Sequence, residues 1–404
     1  MAIILLSVGT VTYLSYETGE RAVNKLLIPI ISSRIRQISD RLTAYLGTPQ
    51  RLVAMNRYGI EQGQINPENW EELRLHFFQQ LKLYKLPTNI YFGGSNGIHI
   101  FSAQDRVGLV APKNSWLGGG VHPSHIGERH YYILNEQGKF TTIIPEQTKP
   151  YTPVTRPWYK TAQAKGQQTW SPVYPFFYID TASISAVAPV YRNGELIGVV
   201  GCDLVLDDIS LFLQKLHFSA SGQSFIIERS GDVVATSTAE RPFVKNLNGV
   251  ELVRLKAENS SNKIIAVTAK ELRKRWNNLE VREPTNFKFV DENNQLHFAH
   301  IFPYDDEYGL DWLIVVVLPG SEFLADIQAN TYRSLGLGTI TLLLAITFGI
   351  SLSYWVSQPI LDLNQAAKHL VQRENYQADL KLNSILSRRD ELGKLAQSFL
   401  QMAG

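Results

Sequence analysis

The chain has 404 residues, with 39 Lys+Arg against 37 Asp+Glu, 11% aromatic residues and a single cysteine, Cys202. That length exceeds one ordinary hydrophobic core, so two or more domains are expected. The balanced charge excludes a nucleic-acid binder, which needs a basic excess to neutralise phosphates, and a lone cysteine can form neither an intrachain disulfide nor a thiolate metal site.

In chain order, residues 1–16 open with the apolar run Ala2–Tyr16, preceded by no Lys or Arg and followed by no small-residue cleavage pattern. The run reads as a first transmembrane helix truncated at its start, with a cleaved signal peptide as the alternative. Residues 17–60 read as a long stalk helix. Leu27, Ile31, Ile35, Ile38, Leu42 and Leu46 form its apolar stripe, and Arg34, Arg36, Asp40 and Arg41 fill the other faces. The stripe can pack on its own domain, on a second copy, or both. A second helix is expected over Pro67–Tyr84, with Asn66 as cap and Pro67 in the first turn.

After Pro87 the apolar period becomes two. Asn89–Ser102 carries a Ser-Asn-Gly turn between two apolar runs, and Ile184–Leu206 repeats that grammar around Asn193-Gly194. A helical stretch, Ile209–Leu216, follows. Gln223–Ser237 then turns at Ser230-Gly231-Asp232, and His297–Leu318 forms a last strand pair. These hairpins predict two successive α/β modules with antiparallel sheets, residues 61–212 and 213–325, divided near Leu216–Gly222.

Leu335–Val356 contains no charge and is long enough, at about 1.5 Å per residue, to span the roughly 30 Å hydrocarbon layer. Tyr354 and Trp355 stand at its end, where amphipathic rings favour the headgroups. A buried core helix is the alternative. Lys368, Arg373, Lys381, Arg388, Arg389 and Lys394 follow, which predicts a cytoplasmic C-terminus and an extracytoplasmic 17–334 in a multi-pass plasma (inner) membrane protein. In residues 357–404, Ile360, Leu363, Ala367 and Leu370 after Pro359, and later Leu392, Leu395, Phe399 and Met402, fall at 3-4-3 spacing. Each helix is too short to bury its stripe alone, so a parallel dimeric bundle is expected, against a pair of helices lying on a surface.

The segment richest in chemistry is Tyr151–Asp203. It holds Tyr151, then Arg156, Trp158 and Tyr159 in the run YTPVTRPWY, then Tyr174, and Asp203 in the strand GVVGCDL. A guanidinium forks onto a carboxylate, aromatic groups supply walls and donors, and an aspartate accepts from an ammonium group, which together suit a free amino acid. An Arg-Pro-Trp-Tyr run that caps a helix and packs its rings into a core is the competing reading.

The long first helix, the two modules, the flanking spans and the order Tyr–Arg–x–Trp–Tyr, Tyr, Asp resemble the double Cache family of extracytoplasmic sensors over about residues 17–325. The proline after the membrane, the two heptad helices and Asp390-Glu391-x-Gly393 are similar to a HAMP linker. The resemblance implies an α+β fold: a long N-terminal helix, two stacked PAS-like modules (61–212 membrane-distal, 213–325 membrane-proximal), two transmembrane helices and a HAMP coiled-coil bundle. By the same resemblance, Arg156 and Trp158 hold a ligand carboxylate, and Tyr151, Tyr159, Tyr174 and Asp203 surround its amino group. Amino-acid-binding members often carry a second acid after the middle tyrosine; here Phe176 stands two positions on, with Asp180 nearby. The implied partners are a small-molecule ligand, an amino acid first and a small carboxylate or amine otherwise, the membrane, a second copy through the long helix and HAMP, and a downstream output domain or protein.

Catalytic readings find little. His122/His125 and His297/His300 lack clustered acids or cysteines. Gly118-Gly119-Gly120 lacks a following Gly-Lys-Ser/Thr and reads as a flexible turn. His369 lacks a phosphoacceptor context, and no G-x-S-x-G occurs. No enzyme activity and no cofactor are expected. A ligand-free stalk that only dimerises is the remaining alternative.

Overall fold

The computed structural model describes residues 2–84, 86–106, 108, 110–145, 148–175, 182–216, 221–245, 252–371 and 385–403. They divide into two compact units: Lys25–Glu322, and Met1–Asn24 together with Phe323–Gly404. Helix α1 (Ala2–Glu61) is a single element, so the apolar opening run and the stalk are not separate helices. The stretch joining them, YETGERAVNK, holds a lone glycine and no proline, which leaves nothing to break the helix. Ile31, Ile35, Ile38, Leu42 and Leu46 are buried as the stripe requires, while Arg36, Asp40 and Arg41 are exposed. The Leu27 side chain lies outside the described residues.

Helix α2 (Trp70–Tyr84) starts later than its sequence signals indicate. Asn69, not Asn66, is the cap: its Oδ1 accepts from Glu72 N at 3.2 Å and its Nδ2 donates to Glu72 Oε2 at 2.7 Å. Asn66 instead closes a local turn by accepting from Glu68 N at 3.1 Å. Trp70, Leu73, Phe77, Phe78 and Leu81 form the buried face of α2.

The first sheet is antiparallel throughout. Its spatial order is β5 (Phe140–Ile143), β4 (Glu128–Leu134), β3 (Ser115–Val121), β2 (His99–Asp105), β1 (Asn89–Gly94), β10 (Glu195–Val205), β9 (Ala182–Arg192) and β7 (Thr169–Trp170). Two short strands, β6 (Lys149–Pro150) on β4 and β8 (Tyr174–Pro175) on β9, complete it. Helix α3 (Pro157–Lys165) packs on β9 and β10. Between β9 and β10, Asn193 and Gly194 have φ of 54° and 83°, the two positive values a tight primed hairpin turn needs.

Residues Gly118-Gly119-Gly120 are not a flexible turn but the buried middle of β3. Gly119 has φ of 148°, and a Cβ there would run into the His130 carbonyl oxygen of the neighbouring strand. Only glycine lets β3 and β4 approach this closely. The three residues read as a turn because glycine is depleted in strands.

Helix α4 (Asp207–Lys215) leads from the first sheet toward the second, whose order is β12 (Val233–Thr236), β11 (Gln223–Glu228), β17 (Asp311–Pro319), β16 (Leu296–Asp305), β15 (Thr285–Val290). A separate hairpin pairs β13 (Phe243–Lys245) with β14 (Leu252–Arg254). Helix α5 (Lys263–Arg275), capped by Asn262 Oδ1 at 3.1 and 3.2 Å, covers this sheet. Leu313, Val315 and Val317 on β17 form the core with Ile265, Ala269 and Leu272 of α5.

The other unit contains α6 (Ser321–Leu352), a π-helical turn at Ser353–Ser357, α7 (Gln358–Val371) and α8 (Glu391–Ala403). Among the described residues one stretch, Gly336–Gln365, is long and apolar enough to cross a membrane, with mean hydropathy 1.8. Leu337, Leu344, Phe348 and Trp355 are all more than half exposed along it. At α8 the DExG run is a cap: Asp390 Oδ1 accepts from Gly393 N at 3.1 Å. Arg388 forks onto Asp390 at 2.6 and 3.0 Å and donates to Trp355 O at 2.8 Å. That ion pair first, then the backbone bond, holds the Asp390 carboxyl below its usual range. Gly393 is required because a Cβ would strike the Arg388 carbonyl oxygen. The side chains of Ala367, Leu370, Phe399 and Met402 lie outside the described residues.

Gly119→Ala places a methyl group against backbone rather than a yielding side chain, so it is expected to destabilise the fold by about 2 kcal/mol or more. Gly194→Ala, whose Cβ would meet nothing within 4 Å, carries only the strain of its φ of 83°. Thermal unfolding followed by near-UV circular dichroism measures both, and a Gly119→Ala midpoint equal to wild type would contradict the close packing of β3 on β4.

Candidate functional site

Alternation along four strands builds one wall of a pocket. Asn89 and Tyr91 on β1, His99 and Phe101 on β2, Arg129 and Tyr131 on β4, and Asp203 on β10 line the same cavity. Register aligns them: Asn89 faces Asp203, Tyr91 faces Phe101 on one side and Gly201 on the other, and Gly119 stands between Phe101 and Tyr131. Glycines make room for the rings. A Cβ at Gly201 would enter the Tyr91 ring, and one at Gly93 would lie 2.6 Å from the Trp158 ring.

The opposite wall comes from the segment between β6 and β9. Tyr151 N donates to Gly127 O at 2.8 Å, which holds Tyr151 beside β4. A short turn, Pro153–Thr155, then brings Arg156 to the N-cap position of α3 with Pro157 at the first helical position. Trp158 packs edge-on against Tyr91, centroids 4.7 Å apart. The enclosed space holds about 30 Å³ of positions for a water centre, above the ~10–15 Å³ that one water needs.

Charge in the pocket is divided. Arg129 and Arg156 gather around Tyr151, with guanidinium carbons 4.0 and 5.8 Å from its ring centre. Asp203, 4% exposed, sits among donors: Tyr91 Oη at 2.8 Å, Ser185 Oγ at 2.6 Å and Asn89 Nδ2 at 3.2 Å. Burial raises its pKa to about 6 from 3.8, and those hydrogen bonds pull it partly back. Burial and the Asp203 charge push the Tyr91 and Tyr174 hydroxyls well above their ordinary range, so both remain donors. His99 is held well below its usual range by burial first, then by Arg129 and Arg156. Its imidazole is neutral at pH 7, and its Nδ1 is buried without a hydrogen-bond partner.

Five of the six residues singled out in the sequence line this pocket: Tyr151, Arg156, Trp158, Tyr174 and Asp203. Tyr159 does not. It is 1% exposed and packs in the core cluster that includes Ala162, Val187 and Val199. The reason is helical geometry, since adjacent residues on α3 point about 100° apart and Trp158 takes the pocket side. Phe176 and Asp180 lie outside the described residues. Reading the sequence missed Asn89, Tyr91, His99, Phe101, Arg129 and Tyr131. The available signal was the alternation of polar-aromatic residues in NIYF, HIF and RHYY, each of which puts its first and third residue on one face. Among the described residues no group of three or more His, Cys, Asp or Glu is arranged to hold a metal ion.

Asp203 is harder to ionise in the folded chain than in the unfolded one, so the fold retains its proton between pH 3.8 and about 6. The corresponding stabilisation is complete below that window and is lost as pH rises to about 6. For a rise from 3.8 to about 6 it amounts to roughly 3 kcal/mol at most. Asp203→Asn is expected to remove this slope and to be no less stable than wild type at pH 7, as read from unfolding midpoints between pH 4 and 7. A wild-type midpoint that instead rises from pH 4 to 6 in step with Asp203 would contradict the buried, destabilised carboxylate.

Comparison with known proteins agrees with this architecture. Residues 118–211 match the family described as methyl-accepting chemotaxis protein-like, first PDC sensor domain, and residues 351–404 match the HAMP domain. Methyl-accepting chemotaxis protein PctB of Pseudomonas aeruginosa is 23% identical over 270 residues, 66% of this chain and 38% of PctB. McpA of Pseudomonas putida is 32% identical over 123 residues, 30% of this chain and 19% of McpA. The chain therefore spans less than half the length of either relative. Among solved structures, the ligand-binding domain of Mlp24 with asparagine has 16% identity and a TM-score of 0.46, covering 78% of this chain and 99% of that one. The segment that carries Arg129, Tyr151, Arg156, Trp158, Tyr174 and Asp203 thus matches a PDC sensor domain of the Cache type, and the C-terminal segment matches a HAMP domain.

Proposed function

We propose that the chain is a membrane-anchored chemoreceptor-type sensor whose first module binds a free amino acid. The observation that carries this reading is one buried aromatic pocket with a cationic side at Arg156 and Arg129 and an anionic side at Asp203. A ligand carboxylate meets the guanidinium groups, with charge-assisted bonds stronger than neutral ones. Its ammonium group meets Asp203, and an opposite charge there lowers the carboxyl pKa from about 6, so binding at pH 6 releases a proton. His99 Nδ1 supplies a further buried group that a ligand can satisfy.

In this proposal residues 1–16 and 335–356 are two transmembrane helices, 17–334 lies outside and 357–404 inside. The apolar stretch Gly336–Gln365 and the basic residues after it support that orientation. A homodimer is supported by apolar side chains left uncovered: Met55 and Tyr58 on α1, and Ile360 and Leu395 on the short relay helices. The two sensor modules are those of residues 61–212 and 213–325. They meet at a specific joint. Trp170 Nε1 donates to Asp306 Oδ2 at 2.6 Å and Thr169 Oγ1 to Tyr308 O at 3.1 Å. Asp306 Oδ1 in turn organises the β16–β17 turn by accepting from Tyr308 N and Leu310 N at 3.0 and 2.9 Å. Next to Trp170, Ser171 Oγ accepts from Ser185 N at 3.0 Å, and Ser185 Oγ donates to Asp203. Ligand contact at Asp203 thereby has a route of short bonds into β17, the strand that precedes α6. A ligand shifts the relay only by the difference in its affinity for the two states.

Calorimetry of the full chain in nanodiscs against L-amino acids, amines and short carboxylates tests the binding reading. Arg156→Ala is expected to weaken amino-acid binding by about 10- to 100-fold, the loss of one charge-assisted pair, without changing the melting midpoint. Unchanged affinity in that variant removes the assigned pocket; silence across the panel favours a ligand-free stalk. Trp170→Phe separates binding from relay. It is expected to keep ligand affinity while ligand-induced hydrogen-exchange protection in residues 311–319 falls to the unliganded level. Full protection in that variant would place the joint elsewhere.

A further inference from the structure

The sheet that carries the sensory pocket has a second, larger cavity on its other face. On β4, Arg129 and Tyr131 face the sensory pocket, while His130 and Tyr132 alternate to the other side and line a cavity of about 400 Å³ under the start of α2. Its walls are of two kinds. Trp70, Tyr132 and Phe140 form an aromatic surface, with Phe140 4.3 Å from Tyr132 and 6.0 Å from Trp70 between ring centres. Facing them are three imidazoles. His122 Nδ1 and His125 Nδ1 each lie 2.7 Å from the Ser124 hydroxyl, and the His130 ring is 5.9 Å from that of His125.

Two features define what fits. First, both ring nitrogens of His130 are shielded from water and make no hydrogen bond; the nearest charge is the Glu128 carboxylate at 3.6 Å. A buried polar group left in that state costs about 1–3 kcal/mol. Second, the lining contains no lysine or arginine among the described residues. The Arg74 guanidinium nearby is 1% exposed, paired with Glu71 and stacked on Phe140 at 4.4 Å. Imidazole lone pairs, nearby carboxylates and aromatic faces all attract a cation or a hydrogen-bond donor, and the one guanidinium close by, Arg74, is already paired with Glu71. The volume falls within the roughly 300–1,000 Å³ of small-molecule sites.

We propose that this cavity is a second ligand site, separate from the sensory pocket, for a protonated amine with an aromatic body. The ring packs against Trp70, Tyr132 and Phe140, and the ammonium group donates to the exposed imidazole of His125, which the His130 ring backs edge-on at 5.9 Å. The site shares β4 with the sensory pocket and touches it through Trp70 Nε1, which donates to His99 O at 3.2 Å.

The test is titration of the full chain in nanodiscs with 2-phenylethylamine and, separately, with phenylacetate, its carboxylate counterpart of similar shape. The amine is expected to bind and phenylacetate not to. His125→Ala and His130→Ala are each expected to weaken the amine by about tenfold. His125 is exposed, so its loss leaves the core intact, which an unchanged melting midpoint verifies. No binding of the amine, equal binding of phenylacetate, or amine binding that survives both histidine substitutions overturns the proposal. So does amine binding that vanishes in Asp203→Asn, since it then belongs to the sensory pocket.

Discussion

Everything at the sensory pocket depends on the register of an antiparallel sheet. Side chains alternate between faces with a period of two, so a slip of one residue would turn Asn89, Tyr91, His99, Phe101, Arg129, Tyr131 and Asp203 to the other side together. Glycine guards that register from within. Gly119 and Gly201 stand beside Tyr131 and Tyr91 in the same cross-strand row, at places where any side chain would collide with backbone or ring. The price of this arrangement is conformational freedom that glycine loses on folding. What it secures is a layer of rings lying flat over a sheet.

Burial sets the chemistry of the pocket as firmly as geometry does. A carboxylate inside a protein is destabilised unless donors surround it, and Asp203 has Tyr91, Ser185 and Asn89. They restore only part of what burial removes, which is why its pKa still stands near 6. The guanidinium groups are handled differently, laid on the Tyr151 face where weak hydration and planarity suit arginine over lysine. The Asp203 cluster and the Trp170–Asp306 bond lie close together in the sheet. Ser185 bonds Asp203 through its hydroxyl and Ser171 through its backbone N–H, and Ser171 follows Trp170, whose indole bonds Asp306.

The segment that matches HAMP shows the same economy of means. Arg388 ties the Asp390 cap of α8 to the Trp355 carbonyl and stacks on its ring at 4.8 Å, which joins the π-helical turn to the second relay helix. Gly393, one of the residues that marks HAMP in the sequence, has a direct steric reason: the chain approaches the Arg388 carbonyl too closely for any other residue.

Local signals were enough for much of this protein. An uncharged run, a helical stripe from Ile31 to Leu46, hairpins around Asn193-Gly194 and the motif from Tyr151 to Asp203 each follow from residue chemistry over a few turns or strands, and they led to the α+β architecture and five pocket residues. Other features were decided only by tertiary contact. Three glycines that resemble a turn became a strand because a neighbouring backbone needed the space. Asn69 displaced Asn66 as cap by pairing with Glu72. Tyr159 went to the core because one helical step separates it from Trp158. Arg129 and His99 entered the pocket because strands far apart in sequence lie side by side, and adjacency of that kind is a property of the sheet, which no single stretch of the chain contains.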